Sequence, residues 1–192
     1  MRVEKIEICH EDNIGIFHLQ KSFSTNHILK NQILKCGVQK STNNLPQVNH
    51  KITGINFFDF KNDYFLKLKS WISYCAEKFM AVDADKLKGV YFEDIWANWY
   101  DQGEYIAKHR HLPNTYAFVY FLQSTKDHPP LVFDGSNFSF YGCSGDLVIF
   151  NASLWHHVDK NKINLPRITI SGNIQSKSIL APNYEKSNSN IS

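Results

Sequence analysis

No apolar stretch in this sequence is long enough to cross a bilayer. Its opening residues, MRVEKIEICHEDN, alternate charged with apolar side chains and offer no hydrophobic signal core. Those absences argue against a membrane or secreted protein and make the cytoplasm the expected compartment. A basic run is missing too. The 21 Lys and Arg against 18 Asp and Glu give a net charge of +3 and are scattered, so nucleic acid is not an expected partner. Cys9, Cys36, Cys75 and Cys143 form no Cys-x-x-Cys pair, which argues against a zinc knuckle or a dithiol redox motif and for free thiols in a reducing compartment. No internal repeat is visible.

What is present is the composition of one globular domain. Of 192 residues, 43% are hydrophobic and 14% aromatic, with Phe and Tyr plentiful enough to suit a β-rich core. Residues 1–85 are mixed in character. KIEICHEDNIGIFHLQ alternates as strands do, with a break at Glu11 to Asn13, and Phe23 to Leu34 predicts a helix with Ser24 or Thr25 as N-cap and an end at Cys36-Gly37. QKSTNNLPQVNH reads as a polar loop. The strongest helix is Asn62 to Met80, where Phe65, Leu68, Trp71, Ile72, Cys75 and Phe79 recur at three- and four-residue spacing and form a docking stripe.

From Val90 the pattern changes to short alternating runs separated by turn signals: VYFEDIWANWYD, EYIAKHRH, TYAFVYFLQ, PLVFD, FSFYG, DLVIFN, SLWHHV and RITISGNI. About eight short strands predict a double-sheet jelly roll or a small barrel. The expected organisation is one domain, with residues 1–85 supporting a β core over 86–176 and a polar, disordered tail over 182–192.

Chemistry concentrates in that β core. Side chains two apart on a strand share a face, so His109 and His111 of KHRHLPN project together while Arg110 points away. A pair of imidazoles suits Fe, Zn, Cu or Ni, yet with nine histidines in the chain the pair alone is a weak signal. LWHHV then adds His156 and His157, and Arg167 opens RITIS eleven residues after His156. On that last strand Arg167, Thr169 and Ser171 share one face and Ile168 and Ile170 the other. An arginine on an inner face is costly unless an anion meets it, and a carboxylate can do so in bidentate fashion.

In this order and spacing the segment from Trp96 to Asn173 resembles the iron(II)- and 2-oxoglutarate-dependent oxygenases, most closely a small phage and bacterial subgroup. The matching pieces are WANWYDQGEYIAKHRHLPN, FVYFL, GDLVIF, LWHHV and RITISGN. The resemblance implies a mainly β fold, a double-stranded β-helix of the jelly-roll, cupin-like kind, backed by N-terminal helices. It implies Fe(II) and 2-oxoglutarate as cofactors and His109, His111 and His156 as metal ligands. His111 stands where most of the superfamily has Asp or Glu, so the centre would carry one negative charge fewer and hold iron less tightly. Arg167 matches the residue that binds the distal carboxylate of 2-oxoglutarate, with Thr169 or Ser171 as hydroxyl helper. Asn98, Tyr100 and Tyr120 match positions lining the cosubstrate pocket. The Leu-x-His-x-Val pattern selects His156, because Leu154 and Val158 share its face, and leaves His157 a surface or supporting imidazole.

The implied activity is hydroxylation of a C–H bond with dioxygen, releasing succinate and carbon dioxide. The substrate is a small molecule or a protein side chain, approached through Leu112 to Tyr116, Gln123 to Pro130 and the N-terminal half; a homodimer is a further expectation. Two other readings stand beside it: a cupin-like three-histidine metalloenzyme that does not use 2-oxoglutarate, and a jelly-roll binding protein. Asp134 reads as a turn residue with a ligand role as the alternative. Asp101 and Glu104 read as solvated, and His10, His18, His27, His50 and His128 as structural or surface residues.

Overall fold

A computed structural model describes residues 3–9, 13–40, 48–53, 62–80 and 88–178. The elements are β1 (Val3–Cys9), β2 (Ile14–Leu19), α1 (Phe23–Cys36), β3 (Gln39–Lys40), β4 (Val48–Asn49), β5 (Lys51–Ile52), α2 (Asp63–Met80), β6 (Lys88–Tyr100), β7 (Tyr105–His109), β8 (Tyr116–Gln123), β9 (Leu131–Phe133), β10 (Ser139–Phe140), β11 (Asp146–Asn151), β12 (His156–Val158) and β13 (Arg167–Ser178). Every alternating run after Val90 contains a strand. His10 and the tail over 182–192 lie outside the described residues.

The strands form an eight-stranded sheet, order β1-β2-β11-β8-β13-β6-β5-β3, and a five-stranded sheet, order β10-β9-β12-β7-β4. All pairings are antiparallel. The two-residue alternation of β8 builds three layers. Ala117, Val119 and Phe121 join Leu131, Phe133, Val148, Phe150 and Val158 between the sheets. Phe118, Tyr120 and Leu122 face the other way, onto Leu29 and Ile33 of α1 and the α2 stripe. The result is two sheets face to face with the helices behind the larger one, the architecture expected of a double-stranded β-helix.

The stripe on α2 is buried at each position named from its periodicity, and Ala76 joins it. At about 1.5–3 kcal/mol for each large apolar side chain removed from water, this face is enough to hold the helix on the sheet. Helix α1 begins at Phe23 as expected, but its cap stands two or three residues before the expected one. Ser22 is the N-cap, its carbonyl accepting the Asn26 N–H at 2.7 Å, while Ser24 and Thr25 lie inside the first turn. Gly37, at φ 81°, ends the helix as the Cys36-Gly37 signal requires.

The first 53 residues do more than supply a backing helix. β1 and β2 extend one edge of the large sheet, β3 and β5 extend the other, and β4 pairs with β7 in the small sheet. Cys36, Cys75 and Cys143 are free thiols. Among the described residues no helix is long and apolar enough to cross a membrane.

Candidate metal centre

Strand register creates the centre. β12 runs antiparallel to β7 with His156 directly opposite His109, so two imidazoles from adjacent strands enter the space between the sheets side by side. β7 ends at His109, and His111 reaches the same point from the turn beyond it. The His111 N–H donates to the Ala152 carbonyl at 2.9 Å, and its own carbonyl accepts from Asn114. The ligand atoms of His109, His111 and His156 lie within 4.8 Å of one another. His111 Nε2 is 3.2 Å from His156 Nε2. Two nitrogens in adjacent positions of an octahedral ion, each bonded at about 2.1 Å, stand about 3 Å apart, so the spacing suits a shared cation.

The rings are prepared to act as ligands. The Nδ1–H of His109 donates to the Ala107 carbonyl at 2.9 Å and that of His156 to the Leu154 carbonyl at 3.0 Å, which leaves each Nε2 with its lone pair free. Burial takes all three below the ordinary histidine value, His111 to about 4 and His156 well down, so they are neutral at physiological pH. Trp96 stacks on His111 at 5.8 Å, and Phe150 packs edge-on to His156 at 4.7 Å.

Arg167 lines the same cavity, together with Asn98, Tyr100, Thr169 and Ser171. It is 1% exposed, and its Nε and Nη2 have no hydrogen-bond partner. Its guanidinium lies between two rings, 5.2 Å from the centre of Tyr100 and 5.0 Å from that of Phe121. Burial lowers its affinity for a proton while Tyr100 raises it. Burial pushes the Tyr100 phenol up to about 12, so it keeps its proton at neutral pH. A buried cation with two unpaired donor nitrogens calls for an anion, and a small dicarboxylate chelating an ion on the histidines would present one.

Asn98 holds this wall together. Its Oδ1 accepts from Trp96 Nε1 at 3.0 Å and from His50 Nε2 at 2.9 Å. Its Nδ2 donates to Ser171 Oγ at 2.9 Å and Thr169 Oγ1 at 3.2 Å. An indole N–H can only donate, which fixes the amide orientation and therefore puts the His50 proton on Nε2.

No protein-family model matches the chain, and no curated protein matches it by sequence. Solved structures do match. A viral collagen prolyl hydroxylase from Paramecium bursaria Chlorella virus-1, in complex with 2-oxoglutarate, superposes with a TM-score of 0.67 at 15% identity, over 88% of this chain and 98% of that one. The epimerase SnoN, bound to Fe3+, α-ketoglutarate and nogalamycin RO, gives 0.66 at 9% identity over 85% and 79%. A Pseudomonas putida prolyl-4-hydroxylase gives 0.65 at 11% over 87% and 94%.

The fold is that of the 2OG-Fe(II) oxygenases.

On this fold His109, His111, His156, Arg167, Asn98, Tyr100, Thr169 and Ser171 line one cavity, and two readings change. Tyr120 does not line the cavity. It is in phase with Phe118 and Leu122, faces the helices, and donates its hydroxyl proton to Asn26 Oδ1 at 2.6 Å. Asp134 keeps its reading as a turn residue and stands outside the metal cluster, bonded to His157 Nδ1 at 2.9 Å, and His157 is likewise outside the three convergent rings. Asp101 and Glu104 are not simply solvated. Asp101 pairs with Lys51 and accepts from Trp99 Nε1 at 2.8 Å, and Glu104 accepts the Asp101 N–H at 2.9 Å, tying the β6–β7 turn. Arg110 faces away as expected, over the Trp155 ring at 4.8 Å.

His50 is the residue that sequence reasoning missed. It is 3% exposed, stacked on Tyr100 at 4.3 Å and bonded to Asn98, behind the wall that Arg167 completes. Burial depresses it to about 4, with its Asn98 bond opposing. The unfolded chain takes up a proton near pH 6.5 and the folded state refuses it until near pH 4, so the His50 contribution to stability is whole above 6.5 and lost as pH falls toward 4. Two to three units correspond to about 3 kcal/mol. In metal-free protein, lowering the pH from 7 to 4.5 is expected to reduce the urea midpoint less for His50→Gln than for the natural chain. An equal reduction in the two would mean His50 titrates normally.

Proposed function

We propose that this chain is an iron(II)- and 2-oxoglutarate-dependent dioxygenase that hydroxylates an aliphatic C–H bond of a small molecule or a protein side chain. The observation that carries the reading is the pairing, in one cavity, of three neutral convergent imidazoles with a fully buried arginine whose Nε and Nη2 are unpaired. A cation alone would satisfy the histidines and leave Arg167 Nε and Nη2 without a partner. An organic acid that reaches from the cation to Arg167 satisfies both.

His109, His111 and His156 would hold iron(II) through Nε2, as the donor set and its spacing allow. When bound, iron(II), 2-oxoglutarate and dioxygen supply the oxidation, with succinate and carbon dioxide released as the cosubstrate is consumed. The chain itself fixes positions and excludes water. Arg167 anchors the distal carboxylate, Tyr100 offers its retained phenolic proton beside it, and Thr169 and Ser171 hold Asn98 so that the wall stays rigid. Val119, Ile106, Leu131 and Val158 keep the rest of the cavity apolar. Leu112, half-exposed next to His111, belongs to the rim that a substrate would meet.

The test is direct. Purified protein supplied with iron(II), ascorbate and 2-oxoglutarate should release succinate under oxygen and none under argon. A cupin-like enzyme that needs no cosubstrate would account for the three-histidine set but not for Arg167. It gains the ground if metal binds while 2-oxoglutarate neither binds nor turns over. A jelly-roll binding protein gains it if neither metal nor cosubstrate binds.

A further inference from the structure

His50 stands where the chain leaves the small sheet for the large one. Asn49 pairs with Tyr105 of β7, and Lys51, two residues on, pairs with Trp99 of β6. Two anchors hold this crossing against β6. Lys51 forms an ion pair with Asp101. Thr53 donates its N–H to the Ala97 carbonyl at 3.0 Å and accepts the Ala97 N–H on Oγ1 at 2.9 Å. Asn98 and Tyr100 lie between the two anchor points and share a face of β6, and the buried His50 side chain meets both of them.

The two contacts differ in what they contribute. Asn98 Oδ1 already accepts from Trp96 Nε1 at 3.0 Å, so the His50 N–H is its second donor. His50 Nδ1 is buried with no hydrogen-bond partner among the described residues, so the site does not use the full bonding capacity of an imidazole. What it uses is the flat ring. The ring centres of His50 and Tyr100 are 4.3 Å apart with their planes 22° from parallel. Tyr100 is the register partner of Arg167, and its ring centre is 5.2 Å from the guanidinium. His50 is not part of the cavity lining, so it reaches the arginine end of the cavity through Tyr100.

We propose that His50 is a positioning residue for the cosubstrate: its ring, stacked on Tyr100, holds that phenol and the neighbouring Arg167 guanidinium where they meet the distal carboxylate of a 2-oxo acid. The inference rests on the oxygenase reading of the site. It gives the segment ahead of α2 a part in cosubstrate selection, because a displaced Tyr100 affects only an acid that reaches as far as Arg167.

Calorimetric titration of the nickel-loaded full chain with two acids tests it. 2-Oxoglutarate and 2-oxopentanoate share a chain length and a chelating end, but only the first carries the distal carboxylate. His50→Gln keeps an N–H donor for Asn98 and removes the ring. It should weaken 2-oxoglutarate binding about 10-fold, the size of the coupling between residues in contact. Nickel and 2-oxopentanoate affinities should stay within about twofold, as for sites that do not interact. His50→Phe, which restores a stacking ring, should recover most of the loss. A residue with a structural role alone would move both acids together, or the metal with them. Unchanged 2-oxoglutarate affinity in His50→Gln, an equal loss for the two acids, an equal loss for nickel, or no recovery in a folded His50→Phe would each overturn the proposal. If His50→Phe does not fold, the ratio of the two acids in His50→Gln decides alone. If the natural chain binds no nickel or no 2-oxoglutarate, the oxygenase reading falls and this inference with it. If the natural chain binds both and releases succinate while His50→Gln favours 2-oxoglutarate over 2-oxopentanoate as strongly as the natural chain, only this inference falls.

Discussion

Arg167→Met is expected to abolish tight binding of 2-oxoglutarate while leaving nickel or manganese binding within a few-fold of the natural chain. Removing one partner of a buried, hydrogen-bonded charge pair costs about 2–5 kcal/mol, which is a loss of about 30-fold to several thousand-fold in affinity. Met fills much of the same volume, so the loss does not arise from a collapsed wall. A second effect runs in the opposite direction. Without an anion the guanidinium is fully buried with Nε and Nη2 unpaired, a condition that destabilises the fold. Met at this position should therefore raise the melting temperature of cosubstrate-free protein and remove the further rise that 2-oxoglutarate gives the natural chain. Calorimetric binding and thermal melts with and without cosubstrate read both effects. Loss of metal and cosubstrate together, with a lowered melting temperature, would show that Arg167 holds the barrel instead of an anion.

How much of this site could be read in the sequence depended on whether the two faces of a strand differ in polarity. β13 alternates Arg167, Thr169 and Ser171 with Ile168 and Ile170, and that polar and apolar contrast identifies the inward face without any structure. β8 carries no such contrast. YAFVYFLQ is buried on both faces, between the sheets on one side and under the helices on the other, so its phase cannot be read and Tyr120 was placed in the wrong layer. Where the layers on both faces of a strand are apolar, the period-2 signal is lost. His50 was hidden for another reason. It lies between the two-residue strands β4 and β5, too short for any periodicity, and its partners Asn98 and Tyr100 are about 50 residues away. Only the closed sheet brings them together. The short strands β3 and β4 lie within the stretch that reads as a polar loop for the same reason.

His156→Ala should eliminate metal binding outright, a loss on the order of 1000-fold or more and well beyond the 10- to 100-fold that follows loss of an outer partner. His156 is the most enclosed of the three rings, at 3% exposure, and sits in register with His109 on one side and Phe133 on the other. Its Nδ1 bond to the Leu154 carbonyl fixes the ring plane, so no small rotation of a neighbour can replace it. The adjacent His157→Ala is the sharp comparison. One residue along β12 the side chain points to the opposite face, where His157 bonds Asp134 at 2.9 Å, and its removal should leave nickel affinity within about twofold. A register shifted by one residue would exchange the two results, because every side chain on β12 would change face. Nickel calorimetry on the pair therefore tests the β7–β12 register and the ligand set in one comparison. Near-natural affinity in His156→Ala would mean that the cation is held somewhere other than between His109, His111 and His156.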